Sequence, residues 1–374
     1  MNRIYASIAC NLDAGILSAA LPLFEGEKVQ AIEWAFDTLF QYEQIPDWFT
    51  DLVTEYSDQG RLVGHGVFFS LFSGRWSVAQ QEWLDRLRRM CETFRFDHIT
   101  EHFGFMTGVD FHKGAPISVP FTEATLALGR DRLRRIQDAC RCPVGLENLA
   151  FSYTLDEVKY HGDFLEKLIL PTNGFIILDL HNLYCQLHNF NIADDTLLNL
   201  YPLDRVREIH ISGGSWVDHD PAPKGRIRRD THDDAVPEEV FHLLRKVLNL
   251  CPKLKFVVME QLGTALETEQ SHIQFRRDFY KMDLIVQNHN RGSSARSTND
   301  FLPEYFDVLT DLPLEVPELY EQQVELSLIL ERAVGTEDAR NLLSRSSLAK
   351  SDWQVENWTP HMLETAIAIA KKWQ

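Results

Sequence analysis

Two stretches, GFIILDLHN at residues 174–182 and KFVVME at residues 255–260, are almost continuous apolar runs that end in side chains able to bind a metal. Apolar runs without alternation suit strands of a parallel sheet, which are covered by helices on one side and by packed core on the other. Working outward, eight such runs can be counted: 3–10, 31–37, 62–69, 97–102, 143–148, 174–180, 206–211 and 255–260. Eight is the number of strands that closes a parallel β/α barrel. Helical patterns lie between several of them. Residues 77–94 set Trp83, Leu84, Leu87, Cys91 and Phe94 on one stripe, opened by Ser77 and Gln80 as a capping box. Pro237 stands where a first helical turn would begin, ahead of Val240, Phe241, Leu244, Val247 and Leu248. The expected class is α/β, a TIM-type (β/α)8 barrel over residues 1–286 with a C-terminal helical appendage.

The stretch QNHNRGSSARSTND, residues 287–300, is polar and has no apolar period, so it reads as a linker or loop. Beyond it, residues 301–374 carry helical patterns at 317–334 and 359–373. The first places Leu319, Val324, Leu326 and Leu330 together, the second Met362, Leu363, Ala366, Ile369, Ala370 and Trp373. Such faces need a surface to cover.

With 374 residues and 44% hydrophobic content, the chain can fill a barrel of about 250 residues and still have an extra module. No apolar run approaches the roughly 20 residues that span a bilayer, and the first residues are poor in apolar side chains and contain Asp13, so a cytoplasmic location is expected. Six scattered cysteines fit a reduced compartment. The 37 basic and 55 acidic residues leave a net charge of −18, which opposes binding to nucleic acid or an anionic membrane.

Candidate metal ligands recur where strands end: His65, His102, Glu147, Asp179 with His181, His210 and Glu260, with Asp230 and His232 in a loop. A parallel barrel gathers the carboxyl ends of all its strands around one mouth, so residues distant in sequence converge there. Asp179 and His181 are two apart, a spacing that in an extended strand points both side chains the same way. Taken singly, each histidine also reads as a core residue and each carboxylate as one paired with Arg or Lys; it is their common address that points to metal. Imidazoles and carboxylates without convergent cysteines suit iron, manganese or zinc, and nine candidates exceed what one ion needs. Lys224, Arg226, Arg228 and Arg229, just before Asp230, form a basic cluster that reads equally as a holder of a substrate carboxylate or as a solvated loop.

At these residues the chain resembles the multinuclear non-haem iron-dependent oxidative enzymes. The matching elements are H-G-V at His65 to Val67, E-H at Glu101 and His102, E-N at Glu147 and Asn148 with Tyr153 after it, and D-x-H-N at Asp179 to Asn182. They continue with H-x-x-G at His210 to Gly213, D-x-H at Asp230 to His232, and the final strand's Glu260. The resemblance covers roughly residues 1–285. It implies two or three irons in mixed Fe(II)/Fe(III) states, O2 as co-substrate, and oxidation of a Cys, Asp or Asn in a ribosomally made precursor peptide, often with a small separate protein that recognises the peptide. Glu147, Asp179 and His210 would be the catalytic residues. Many members carry Asn where His181 stands, and the Glu-Asn that many show after the second strand is here Phe36 and Asp37. Readings from other classes are a metal-dependent hydrolase or sugar isomerase on a xylose-isomerase-like barrel, and a non-enzymatic metal-binding scaffold.

Overall fold

The computed structural model describes residues 3–40, 42, 44–107, 114–219, 224–291, 300–303, 309 and 311–372. Its strands, in chain order, begin with β1 (Tyr5–Ala9), β2 (Ala31–Trp34), β3 (Leu62–Gly66) and β4 (Ile99–His102). The short β5 (Phe105–Met106) and β6 (Pro116–Ile117) follow, then β7 (Val144–Glu147), β8 (Phe175–Asp179) and β9 (Val206–Ile211). The hairpin strands β10 (Trp216–Asp218) and β11 (Arg226–Arg228) precede β12 (Phe256–Met259). Eight of these close in the order β1-β12-β9-β8-β7-β4-β3-β2, all parallel, on the runs that the sequence marked. The TIM-type barrel is therefore the observed fold. Its register matters for function: His102 lies opposite Glu147, and Asp179 opposite His210, so these side chains reach the same height around the mouth.

Around the barrel run α1 (Ala14–Glu25), α2 (Asp47–Asp58), α3 (Val78–Thr93), α4 (Glu123–Cys140), α5 (Leu155–Ile169), α6 (Leu180–Asn189), α7 (Asp194–Leu198), α8 (Glu238–Val247) and α9 (Glu269–Asn290). The Ser77–Gln80 capping box opens α3 as expected, and Trp83, Leu84 and Leu87 are buried beneath it. Pro237 is the N-cap residue of α8 rather than its first helical residue. The second strand stops at Trp34 rather than at residue 37. Asp37 instead turns inward and accepts hydrogen bonds from the Val67 and Phe68 amides and the Trp83 indole, tying the second strand's exit to the third.

Helix α9 runs to Asn290, whose side chain bonds both backbone groups of Ile4, so the first four residues of the expected linker continue the helix. Residues 292–299 lie outside the described residues, as does Trp373. After them come α10 (Pro317–Arg332), α11 (Thr336–Leu343) and α12 (Pro360–Lys371), which pack on one another. These helices also lie on loops that follow barrel strands at their carboxyl ends. Gln323 exchanges hydrogen bonds with Phe72 and Gly74 after β3, and Trp353 meets Phe105 after β4. Trp358 stacks on Tyr153 after β7 at 3.7 Å between centroids, and Glu364 pairs with His219 after β9. The appendage thus sits at the end of the barrel where the candidate ligands emerge.

Candidate metal centre

Five of the expected residues stand on the last or last-but-one position of a barrel strand: His65, His102, Glu147, Asp179 and His210. Glu260 is the first residue after β12, where its amide bonds the Ile211 carbonyl. Their donor atoms fall into overlapping groups. His65 Nε2, His102 Nε2 and Glu147 Oε2 lie 3.4–3.5 Å apart. The other oxygen of Glu147, Oε1, faces a second group with Asp179, His210 and Glu260, in which His210 Nδ1 is 3.9 Å from Glu147 and 3.2 Å from Glu260. Two donors bound at right angles to one ion at about 2.1 Å lie about 3 Å apart, so these spacings suit shared cations. His232 Nε2 continues the cluster, 3.0 Å from Asp230 Oδ1 and 3.9 Å from Glu260 Oε2. It is held there by a left-handed backbone, φ 53°, at His232 itself, a conformation that disfavours a side chain by about 1–2 kcal/mol.

Hydrogen bonds behind the cluster fix which nitrogen faces inward. Thr100 has one hydroxyl proton and gives it to the Gly64 carbonyl, so it accepts from His65 Nδ1 at 2.9 Å and turns Nε2 toward His102 and Glu147. His210 likewise has Nε2 on Glu33 at 2.9 Å, which turns Nδ1 toward Glu147 and Glu260. Asn182 donates to Glu147 Oε1 at 3.1 Å, while Asn148 brackets the backbone of Asp179 through both amide atoms. Gly66 is required by this packing, because a Cβ there would come within 1.8 Å of the Glu101 carboxyl.

The charges are unbalanced. Burial, then the charges of Glu147, Asp230 and Glu260, push the Asp179 carboxyl well above its ordinary value. Burial would lower His65, but its bond to Glu147 and the charge of Glu33 carry it up to about 9. Burial and the charge of His65 push its neighbour His102 down to about 4. Burial also opposes charge on His232, but Asp230 raises it to about 10. Asp179 Oδ2, His210 Nδ1 and His232 Nε2 are buried without an aligned hydrogen bond among the described residues. Buried polar atoms of this kind need a partner, and inward-facing imidazole and carboxylate donors are the set that first-row divalent metals accept. The residues present fit such ions.

A family model described as RiPP precursor modification enzyme MbnB/TglH/ChrH matches residues 29–270. The chain belongs to that family. Among its relatives, a UPF0276 protein of Caulobacter vibrioides is 31% identical over 194 residues, covering 49% of this chain and 64% of the relative. One from Chromobacterium violaceum is 30% identical over 186 residues, with the same coverage. The chain thus spans a little under two thirds of the length of these relatives. Among solved structures, a xylose isomerase domain protein from Planctomyces limnophilus aligns with a TM-score of 0.48 at 13% identity, over 78% of this chain and 98% of that one. An L-ribulose 3-epimerase aligns at 0.47 and 13%, over 78% and 97%.

In this MbnB/TglH/ChrH family member, His181 is placed otherwise than its spacing suggested. The strand ends at Asp179, whose Oδ1 caps α6 by accepting from the Asn182 amide, so His181 stands in a helical turn and not in a strand. Both of its ring nitrogens are engaged, Nδ1 with Asp230 Oδ1 at 2.8 Å and Nε2 with Arg228 Nε at 2.9 Å. Gly214 makes room for that ring, since a Cβ would sit 2.7 Å from it. The basic cluster divides accordingly: Arg228 is buried against His181, while Lys224 and Arg226 are exposed. Residues not picked out as candidates include Glu33 and Glu208, both buried beside His210, and His98, which bonds Glu208 at 2.7 Å.

Proposed function

We propose that this chain uses two or three iron ions, in mixed Fe(II)/Fe(III) states, and O2 to oxidise a Cys, Asp or Asn side chain in a ribosomally made precursor peptide. The observation that carries the reading is Glu147, whose two oxygens each face a different set of donors. His65, His102 and Glu147 would hold one ion; Glu147, Asp179, His210 and Glu260 a second; Asp230 and His232, with Glu260 near, a third. When bound, iron with open coordination positions supplies the oxidising chemistry that protein side chains lack.

What the chain's own residues do is hold and orient. Thr100, Glu33 and Asn182 preset His65, His210 and Glu147, so little rearrangement is needed on loading. His181 serves as the support of Asp230 rather than as a ligand, because neither ring nitrogen has a free lone pair. A substrate side chain enters from the mouth, since the interior below is closed by buried side chains such as His98, Phe175 and Phe256. The implied partners are the precursor peptide and a small peptide-recognition protein.

The test is elemental analysis of anaerobically prepared protein, followed by O2 uptake and mass spectrometry of a peptide encoded beside it. Iron with O2-dependent change in peptide mass is the expected result. Zinc or manganese, with full activity under argon, would favour the hydrolase or isomerase reading instead.

A further inference from the structure

The β10–β11 hairpin leads into Asp230, and with α6 and α8 it walls an open groove of about 700 Å3, within the size range of ligand sites. Tyr184 and His188 from α6, Leu243 from α8, and Trp216, Lys224 and Arg226 of the hairpin region line it. The Arg226 guanidinium lies 4.1 Å from the centre of the Trp216 ring, which keeps the cation spread across an aromatic wall. Two of the groove's three acids are held by lysines, while Glu239 meets only a neutral hydroxyl and keeps its charge. Asp194 is bound by Lys246, Glu238 by Lys281, and Glu239 by the Tyr184 hydroxyl. Among the described residues neither Lys224 nor Arg226 forms an ion pair, and Asp218 stands opposite Arg226 across the hairpin. In a chain of net charge −18, the groove therefore offers two cations that no ion pair holds, beside aromatic and apolar surface.

Its position decides what kind of ligand gains from it. Arg228, the last residue of β11, lies 4.9 Å from the Trp216 ring and donates to His181, which in turn holds Asp230. One buried Arg–His pair thus links the Trp216 wall of the groove to Asp230 of the candidate centre. A chain molecule can be held at one and presented to the other.

We propose that this groove binds an acidic, extended segment of the precursor peptide, with its carboxylates on Lys224 and Arg226 and its apolar side chains against Trp216 and Tyr184. This rests on the peptide-modifying reading above. The full chain is titrated calorimetrically with a short synthetic peptide of alternating glutamate and leucine, with its lysine-for-glutamate counterpart, and with glutarate as the free dicarboxylate. The acidic peptide should bind, and the combined Lys224→Glu and Arg226→Glu protein should bind it at least about tenfold more weakly. Lys224→Arg with Arg226→Lys should retain binding. Glu147→Gln, which disables the metal centre, should bind the peptide as the native chain does, so loss of catalysis and loss of the groove are read separately. Undiminished binding by the charge-reversed protein overturns the proposal. So does equal binding of the lysine peptide, glutarate matching the peptide's affinity, or loss of peptide binding in Glu147→Gln.

Discussion

Glu147 puts Oε2 between His65 and His102 and Oε1 toward His210, so one residue belongs to two donor groups. Glu147→Gln keeps its volume and its bond from Asn182 but removes the carboxylate charge shared by the two donor groups. Elemental analysis should find bound iron lowered and peptide oxidation abolished, with the circular dichroism spectrum kept; full iron and activity would refute the assignment. Glu33→Gln tests the support behind His210 rather than a ligand. Its expected effect is a 10–100-fold weaker hold on metal, roughly the cost of losing such a partner, measured by competition with a chelator. Glu33 was readable in principle, since a carboxylate inside AIEWAF carries the same signal as Glu147 in PVGLEN. What the sequence could not supply was which carboxylates face the shared donor cluster and which face the back of a histidine. His161 allows a test away from the metal. Burial pushes it down to about 3, and its Nε2 accepts the Leu149 amide proton. Its folded pKa lies below the unfolded value of about 6.5, so between the two the unfolded chain takes up the extra proton. Stability is therefore lost as pH falls through that window, by at most about 1.4 kcal/mol per pH unit from this group. Melting temperatures of His161→Gln should show a shallower decline on acidification than those of the native chain; parallel curves would contradict the account.

At the scale of elements, the barrel strands were legible because burial on both faces leaves nearly pure apolar runs. Their exits were less so. Asp179 ends β8 by capping α6, a choice between strand and helix that is made by one side-chain hydrogen bond. The β10–β11 hairpin was not visible either, since Trp216 and Arg228 become partners only across a turn. The two tail patterns do form helices, at Pro317–Arg332 and Pro360–Lys371, but their seat on the carboxyl-face loops depends on contacts such as Tyr153–Trp358, which no periodicity reveals. Removing residues 301–374 should expose apolar surface and slow peptide modification more than it lowers iron content, because none of the proposed ligands lies there. A truncated chain that stays soluble and modifies its peptide at the normal rate would deny the tail any part in substrate capture.

For the whole molecule, the central claim is convergence. Residues from 65 to 260 meet only because a closed parallel barrel turns every strand end toward one mouth. The same closure buries several carboxylates there, and cations bound among them would balance their charge. The most direct measurement is anomalous diffraction at the iron absorption edge from anaerobically grown crystals of the full chain. The account predicts at least two iron peaks, one near His65, His102 and Glu147 and one near Asp179, His210 and Glu260. A single peak elsewhere, or a cluster whose donors bind no iron under these conditions, would contradict it.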